Sequence, residues 1–209
     1  LQSAVFSFAN IVIQAAINSL GTIVIAASSA AFNIEIFAYY VLNSFSQACT
    51  TFVGQNYGAG QIKRCKKILL LCILEDAIAS AAVISLVLLS GRVLLSVFNS
   101  NPEVIEIGYT RLLIILSAYT FSMLYENMSG YLRGFGDSLI PAVLTVIGVC
   151  AVRITWIYTV FQTHRTFTSI MIAYPVSLFT TALLIFIALM IYRPSRRYAA
   201  ANETGSGEI

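Results

Sequence analysis

The chain has 209 residues, of which 58% are hydrophobic and 10% are charged, with a formal net charge of +3 and a mean hydropathy of +0.85. A soluble core of this size does not need so much apolar surface, and long apolar runs are typical of membrane spans. The basic residues lie beside apolar runs and form no separate patch, which argues against a nucleic-acid partner.

Six apolar segments are long enough to be spans, since crossing the hydrocarbon takes roughly 20 residues. We predict them at residues 3–20, 27–52, 68–89, 104–128, 139–161 and 168–192. The predicted fold class is therefore all-α, a polytopic membrane protein whose six spans form one domain over residues 1–192. Residues 193–209 are predicted to be a disordered tail, because they are rich in polar residues and glycine. The chain opens with Leu1, so we expect a fragment or a start-trimmed chain.

Polar residues recur every three or four positions along the first two spans. Such spacing places them on one face of each helix. Exposing that polar face to lipid would cost much free energy, so we expect it to face the protein interior. Two interpretations are open: a wet cavity between the helices, which we favour, or interhelical hydrogen bonds. The first span carries Ser3, Ser7, Asn10, Gln14 and Asn18, and the second carries Glu35, Tyr39, Asn43, Ser46 and Thr50.

The basic residues predict an orientation. If the segment after the second span is cytoplasmic, eight of the twelve Lys and Arg residues fall inside, two fall outside and two lie within spans. Both ends of this chain are then cytoplasmic, and the protein is predicted to be multi-pass in the plasma membrane. The inner set is Lys63, Arg64, Lys66, Lys67, Arg133, Arg193, Arg196 and Arg197.

The charged residues within spans can be ranked by depth from the helix rise. Glu35, Arg111 and Arg153 all fall in the outer half, which predicts one buried ion-pair network. Glu126 is predicted to form an interfacial pair with Arg133 near the inner end of the fourth span.

Two further acids, Glu75 and Asp76, are adjacent in the third span. They must point about 100° apart, so they cannot both face one site.

Metal and disulfide chemistry find little support in the sequence. The four cysteines form no CxxC pair, and with a single histidine, His164, no zinc set can be assembled at the usual spacings. We expect reduced, structural cysteines, no metal site, no cofactor and a solvated loop histidine.

An enzyme is the main rival class of function. The string GFGD at residues 134–137 matches the GxGD motif of intramembrane aspartyl proteases, but that chemistry needs two carboxylates in one site. Asp137 falls in a basic loop with no partner motif, so we predict no catalytic residues.

Two glycine-rich strings carry a family resemblance. VGQNYGAG occupies residues 53–60 and LRGFGDSLIP occupies residues 132–141. Together they resemble the multidrug and toxic compound extrusion (MATE) family, in which such strings follow the second helix of a lobe and join the fourth to the fifth. We interpret these segments as structural loops. Their motif residues are Gly54, Gln55, Asn56, Gly58, Gly60, Arg133, Gly134, Gly136, Asp137 and Pro141.

Local chemistry agrees with a structural role for these strings. Glycine allows tight reversal and close helix approach, and Pro141 suits the first turn of the fifth span. Asp137 or Ser138 is predicted to cap that helix.

The resemblance implies a secondary transporter of twelve spans, of which this chain would be the second six-helix lobe. It implies cation-coupled export of small organic or cationic compounds, driven by sodium or protons, with the bilayer and the first lobe as partners. The family's second-lobe cation site often uses acids on the first and fourth helices. Here the first span has Asn10 instead, and the middle of the fourth has no acid, so Glu35 becomes the leading acidic candidate.

The predicted substrate or cation pathway combines the two polar stripes with the two intramembrane arginines. A six-span channel or a non-transporting scaffold subunit is the alternative function, although neither re-entrant glycine-rich backbone nor rings of charge are found. The predicted pathway residues are Asn10, Gln14, Asn18, Glu35, Tyr39, Asn43, Ser46, Arg111 and Arg153.

Overall fold

The computed structural model describes residues 2–194, with side chains from Ser7 onward, and these residues are helical with no strand among them. Residues 195–209, which include most of the predicted tail and the basic residues Arg196 and Arg197, lie outside the described residues, as does the side chain of Ser3. The helices are α1 (Gln2–Asn18), α2 (Thr22–Gly58), α3 (Ile62–Phe98), α4 (Pro102–Ser117), α5 (Tyr119–Gly134), α6 (Leu139–Thr145), α7 (Val152–Thr163) and α8 (Phe167–Tyr192), with a π-helical segment, Val146–Ala151, joining α6 to α7.

Four of the predicted spans are continuous helical stretches that are long and apolar enough to cross a membrane: α2, α3, α8 and Leu139–Thr163. A fifth is formed by α4 and α5 if the two count as one span. In α1, Ser7–Asn18 is a shorter apolar helix, so the first span stays a prediction. At 37 residues each, α2 and α3 are about 55 Å long and exceed the hydrocarbon thickness of about 30 Å.

The fourth predicted span is broken, and the prediction of one continuous helix is wrong. Between α4 and α5 the axis bends by 43° at Ala118, without any proline. The Ala118 N–H donates to the carbonyl of Ile115, three residues back. The carbonyl of Ile114, four residues before Ala118, accepts instead from the Ser117 hydroxyl at 2.9 Å. A side chain that replaces a backbone donor in this way releases the helix to bend.

The first glycine-rich string is mostly helical, which corrects its interpretation as a loop. Helix α2 continues through Gly58, and only residues 59–61 form the turn. Gly60 and Gly136 take φ of +71° and +90° in the two turns, a backbone region that glycine enters without steric cost. We call the pole of the bundle that holds these two turns the motif end.

Close packing of α2 against α5 is the main feature of the motif end. A Cβ on Gly130 would lie 2.5 Å from the Ser46 carbonyl oxygen, and one on Gly134 would lie 2.6 Å from the Val53 side chain. The rings of Tyr57 and Phe135 meet at 5.1 Å between centroids. Of the glycines in the second string, Gly134 therefore serves close helix approach and Gly136 serves the turn, as expected.

The fifth span begins as predicted but is not capped as predicted. Pro141 lies in the first turn of α6, where a missing N–H costs little. Ser138 occupies the N-cap position with no side-chain cap bond, and Asp137 Oδ1 instead accepts from the Tyr192 hydroxyl at 3.0 Å. The Asp137 carboxylate thus ties the α5–α6 turn to the end of α8.

Helix α3 lies at the periphery of the bundle, against α2, α4 and α5. Its outward side chains are large and apolar, as a lipid-facing surface requires, and include Leu70, Leu74, Ile78, Leu86 and Leu89. The remaining helices enclose the polar interior described next.

Candidate functional site

A cavity of about 560 Å³ opens inside the bundle. Residues of α1, α2, α4, α5, α7, α8 and the π-helical segment form its walls, and α3 contributes none. Its size falls within the range of small-molecule sites. Six of the nine predicted pathway residues line it: Asn10, Gln14, Glu35, Tyr39, Arg111 and Arg153.

A buried ion pair forms one wall of the cavity. Arg111 approaches Glu35 Oε2 through Nη2 at 2.9 Å and Nε at 3.0 Å, a two-pronged contact with exposures of 4% for the arginine side chain and 8% for the glutamate. Arg111 Nη1 also donates to Ser28 Oγ at 2.9 Å, and the Tyr119 hydroxyl donates to Glu35 Oε1 at 3.3 Å. Both charges are therefore neutralised and hydrogen-bonded, which a buried pair requires.

Arg153 stands apart from that pair, so the predicted three-member ion-pair network is wrong in this respect. Its Nε donates to Ser177 Oγ at 2.9 Å, and its guanidinium lies over the Tyr174 ring at 4.1 Å from the centroid. The same ring lies 5.5 Å from the Arg111 guanidinium carbon. Tyr174 therefore connects the two arginines, while only Arg111 contacts Glu35.

The polar stripe of α2 divides between two roles. Glu35 and Tyr39 reach the cavity, whereas Asn43 donates to the Tyr39 hydroxyl at 3.3 Å without lining it. Ser46 is fully buried, donates to the Glu126 carbonyl at 2.8 Å and accepts from Arg133 Nη2 at 2.8 Å. The cavity interpretation therefore fits Glu35 and Tyr39, and interhelical hydrogen bonding fits Ser46, whereas Asn43 and Thr50 bond within α2.

On α1, Asn18 is exposed and accepts from Gln14 Nε2 at 2.8 Å. Asn18 does not line the cavity, so with Asn43 and Ser46 it is one of three pathway residues that lie elsewhere.

Glu126 is buried and forms the predicted pair with Arg133, while its depth at the membrane interface stays a prediction. Its Oε2 lies 4.0 Å from Arg133 Nη2, and the Tyr39 hydroxyl donates to Oε1 at 3.4 Å. The close packing of α2 against α5 places this carboxylate beside Tyr39 of α2. Tyr39 thus lies between the cavity and the motif end.

Asp76 is a second buried acid and lies outside the cavity. Its side chain is fully buried between α3 and α5, and accepts from Ser80 Oγ at 2.7 Å and Asn127 Nδ2 at 2.6 Å. Among the described side chains no basic group pairs with it, and Asn127 Oδ1 has no hydrogen-bond partner. Glu75 is exposed, so the two adjacent acids diverge as predicted.

Several cavity residues escaped the sequence reasoning. Ser28 lies seven positions before Glu35, so the helical period could have added it to the α2 stripe. Tyr119 and Tyr174 gave no usable signal, because aromatic residues are common in spans. Ser177 does not line the cavity but accepts from Arg153 Nε.

The motif residues sit away from the cavity. None of Gly54, Gln55, Asn56, Gly58, Gly60, Gly134 or Gly136 lines it. A Cβ built on Gly54 would lie 3.5 Å from the Gly134 carbonyl oxygen. Asn56 Nδ2 donates within its own helix to the Phe52 carbonyl at 2.9 Å. Among the described residues, no group of three or more His, Cys, Asp or Glu side chains could hold a metal ion.

Comparison with known proteins places the chain in a family. The profile of the MatE family matches residues 1–159. The chain is similar to a probable multidrug resistance protein NorM of Thermotoga maritima, with 27% identity over 152 residues that make up 73% of this chain and 32% of that protein. It is also similar to multidrug and toxin extrusion protein 1 of Homo sapiens, with 27% identity over 130 residues, or 62% of this chain and 23% of that protein.

Solved structures share the fold. An outward-facing multidrug resistance MATE family transporter of the MOP superfamily superposes with a TM-score of 0.83 at 16% identity, over 92% of this chain and 43% of that one. A MOP superfamily transporter from Pyrococcus furiosus, whose binding pocket is described as having reverse polarity, gives 0.81 over 91% and 42%.

The chain thus spans about a third of the length of the NorM relative and less than half of the transporters that share its fold. The matched profile, the shared fold and the apolar helices agree, and the chain is a multi-pass membrane protein that belongs to the MatE family.

Proposed function

We propose that the chain is the second six-helix lobe of a cation-coupled antiporter that exports organic or drug-like compounds across the plasma membrane. The observation that carries the proposal is the polar cavity, because it holds a neutralised ion pair and ligand-sized space inside a helical bundle. Polar groups at such depth are costly and mark transport pathways in membrane proteins. The names of the relatives, multidrug resistance and toxin extrusion proteins, support the same class of substrate.

Glu35 is our candidate for the coupling acid of this lobe. It faces the cavity and contacts Arg111 at 2.9 Å, so binding of sodium or a proton at its carboxylate would compete with the arginine. If the protein has one conformation with the pair closed and another with it open, a cation that binds one conformation more tightly shifts the equilibrium toward it. The coupling ion is sodium or a proton, and the flux experiment described next separates the two.

The test is compound flux in liposomes that contain the full-length protein, with an imposed sodium gradient, an imposed proton gradient or none. The antiporter proposal expects flux that depends on one of the two gradients. Flux that ignores both gradients would identify a channel, and absence of flux for all compounds would identify a scaffold.

Topology is a second part of the proposal: the motif end and both chain ends are cytoplasmic. Helix α3 starts at the motif end with Lys63, Arg64, Lys66 and Lys67, as the positive-inside rule expects. Cysteine labelling from outside, on a background without native cysteines, tests it. Labelling at Asn101→Cys with silence at Ser138→Cys is the expected result, and the reverse pattern contradicts it.

We also propose that this chain alone does not transport. Transporter sites commonly lie between repeats that rock against each other, and one lobe has no partner to rock against. The measurement is gradient-driven efflux by the purified chain in liposomes. Robust efflux by a monomer contradicts the proposal.

A further inference from the structure

The charges of the cavity wall do not cancel. Among the described residues that line it, three carry charge: Glu35, Arg111 and Arg153. Glu35 and Arg111 neutralise each other at 2.9 Å, and both are almost fully buried. The wall therefore carries one net positive charge, and that charge belongs to Arg153.

Arg153 is held in place but not satisfied. Its Nε donates to Ser177 Oγ, and the face of its guanidinium lies 4.1 Å from the centre of the Tyr174 ring, which fixes the plane of the group. Within the described part of the chain, neither terminal nitrogen has a hydrogen-bond partner and no carboxylate pairs with the residue. The side chain is half-buried, so its terminal N–H groups are within reach of a molecule in the cavity.

A guanidinium of this kind matches one ligand chemistry. Its terminal N–H groups form a rigid fork that binds a carboxylate in a two-pronged manner, more strongly than neutral hydrogen bonds do. An organic cation would have to displace Arg111 to reach a carboxylate here, because Glu35 is the single acid of the described wall and Arg111 pairs with it. The neutral amides of Asn10, Gln14 and Asn33 also line the cavity and can bond to both hydrogen-bond donors and acceptors of a ligand.

We propose that this cavity binds organic anions, with a carboxylate on Arg153 and an aromatic or apolar body beside Tyr174. The inference deepens the proposed export function by naming its substrate class, and it rests on that function only for the direction of transport. Ligand binding to Arg153 requires neither a gradient nor flux.

The experiment compares two probes with one fluorophore and opposite charge, dansylglycine and dansylcadaverine, on the purified full-length protein in detergent micelles. We expect dansylglycine to bind about tenfold tighter, the scale of a charged hydrogen-bonded contact. Arg153→Gln should abolish that preference, and Arg153→Lys should keep part of it, since the charge remains and the fork is lost. Arg92→Gln is the matched control, because Arg92 is exposed, pairs with Glu106 and lies outside the cavity.

Tighter binding of dansylcadaverine by the wild-type protein overturns the inference, as does an unchanged preference in Arg153→Gln. If Arg153→Gln does not fold, the preference of the wild-type protein and its reduction in Arg153→Lys decide. A clear preference for dansylglycine without any gradient-dependent flux would uphold the anion site and refute the antiporter. Gradient-dependent flux restricted to cationic compounds would uphold the antiporter and refute the anion site.

Discussion

The cavity and the interface of α3 with α5 each bury a carboxylate, and they satisfy it in different ways. In the cavity, Glu35 meets a full positive charge on Arg111 at 2.9 Å, next to open space. At the interface, Asp76 meets only neutral donors among the described side chains, Ser80 and Asn127, and it does not line the cavity. A buried ion pair next to a ligand-sized cavity can respond to what enters, whereas a buried acid among neutral donors only joins two helices. Burial alone therefore does not distinguish a functional acid from a structural one.

The largest expected effect comes from Glu35→Gln. It leaves Arg111 buried and unpaired, which typically costs about 3–5 kcal/mol, so we expect a large fall in membrane abundance and in the Tm of the purified protein. Adding Arg111→Gln should restore both, since a buried pair can be replaced by neutral groups at little cost.

Arg153→Gln in the same Glu35→Gln background is the matched control for that rescue. Because Arg153 bonds to Ser177 and not to Glu35, it should restore nothing. Equal rescue by the two second-site changes would mean that the ion pair is shared, and the assignment of Arg111 as the sole partner would then be wrong.

Close packing at the motif end predicts a second, smaller loss. In Gly130→Ala the new Cβ would lie 2.5 Å from the Ser46 carbonyl oxygen, so α2 and α5 must separate, at a cost of about 1–3 kcal/mol. Thermal unfolding of the purified protein measures it. Gly58→Ala is the control, because nothing lies within 4 Å of its built Cβ, and a similar Tm fall in both variants would refute packing as the cause.

Asp76→Asn should be the mildest change. Both partners are neutral, and Asn127 has an unused oxygen that can accept from the new amide, so we expect a loss below about 1 kcal/mol. The measurement is the Tm difference from the wild-type protein, beside Glu35→Gln. A loss as large as that of Glu35→Gln would show that Asp76 has a cationic partner and would remove the contrast between the two acids.

Sequence patterns predicted the helical fold and much of the cavity, because period and hydropathy act along one helix at a time. Asn10, Gln14, Glu35 and Tyr39 were found this way. Pairing between helices was harder, since depth alone could not tell whether Arg111 or Arg153 would reach Glu35.

Local irregularities of the backbone and contacts between helices also escaped the sequence. The bend at Ala118 follows from a serine hydroxyl that replaces a backbone donor, without a proline to signal it. Its spacing on the α2 stripe predicted that Ser46 lies in the pathway, but its hydroxyl instead donates to the Glu126 carbonyl of α5. The π-helical segment just before Arg153 changes the helix face of the residues that follow, and neither the polar spacing nor the hydropathy of the span predicts it.

Gradient-driven efflux by the double variant Glu35→Gln with Arg111→Gln, in the full-length protein, tests most directly whether the cavity ion pair couples transport. The variant keeps the fold by removing both charges, so a change in transport cannot be attributed to an unpaired arginine. We predict wild-type abundance together with efflux that no longer responds to a sodium or proton gradient. Wild-type gradient-driven efflux in this variant would contradict the account.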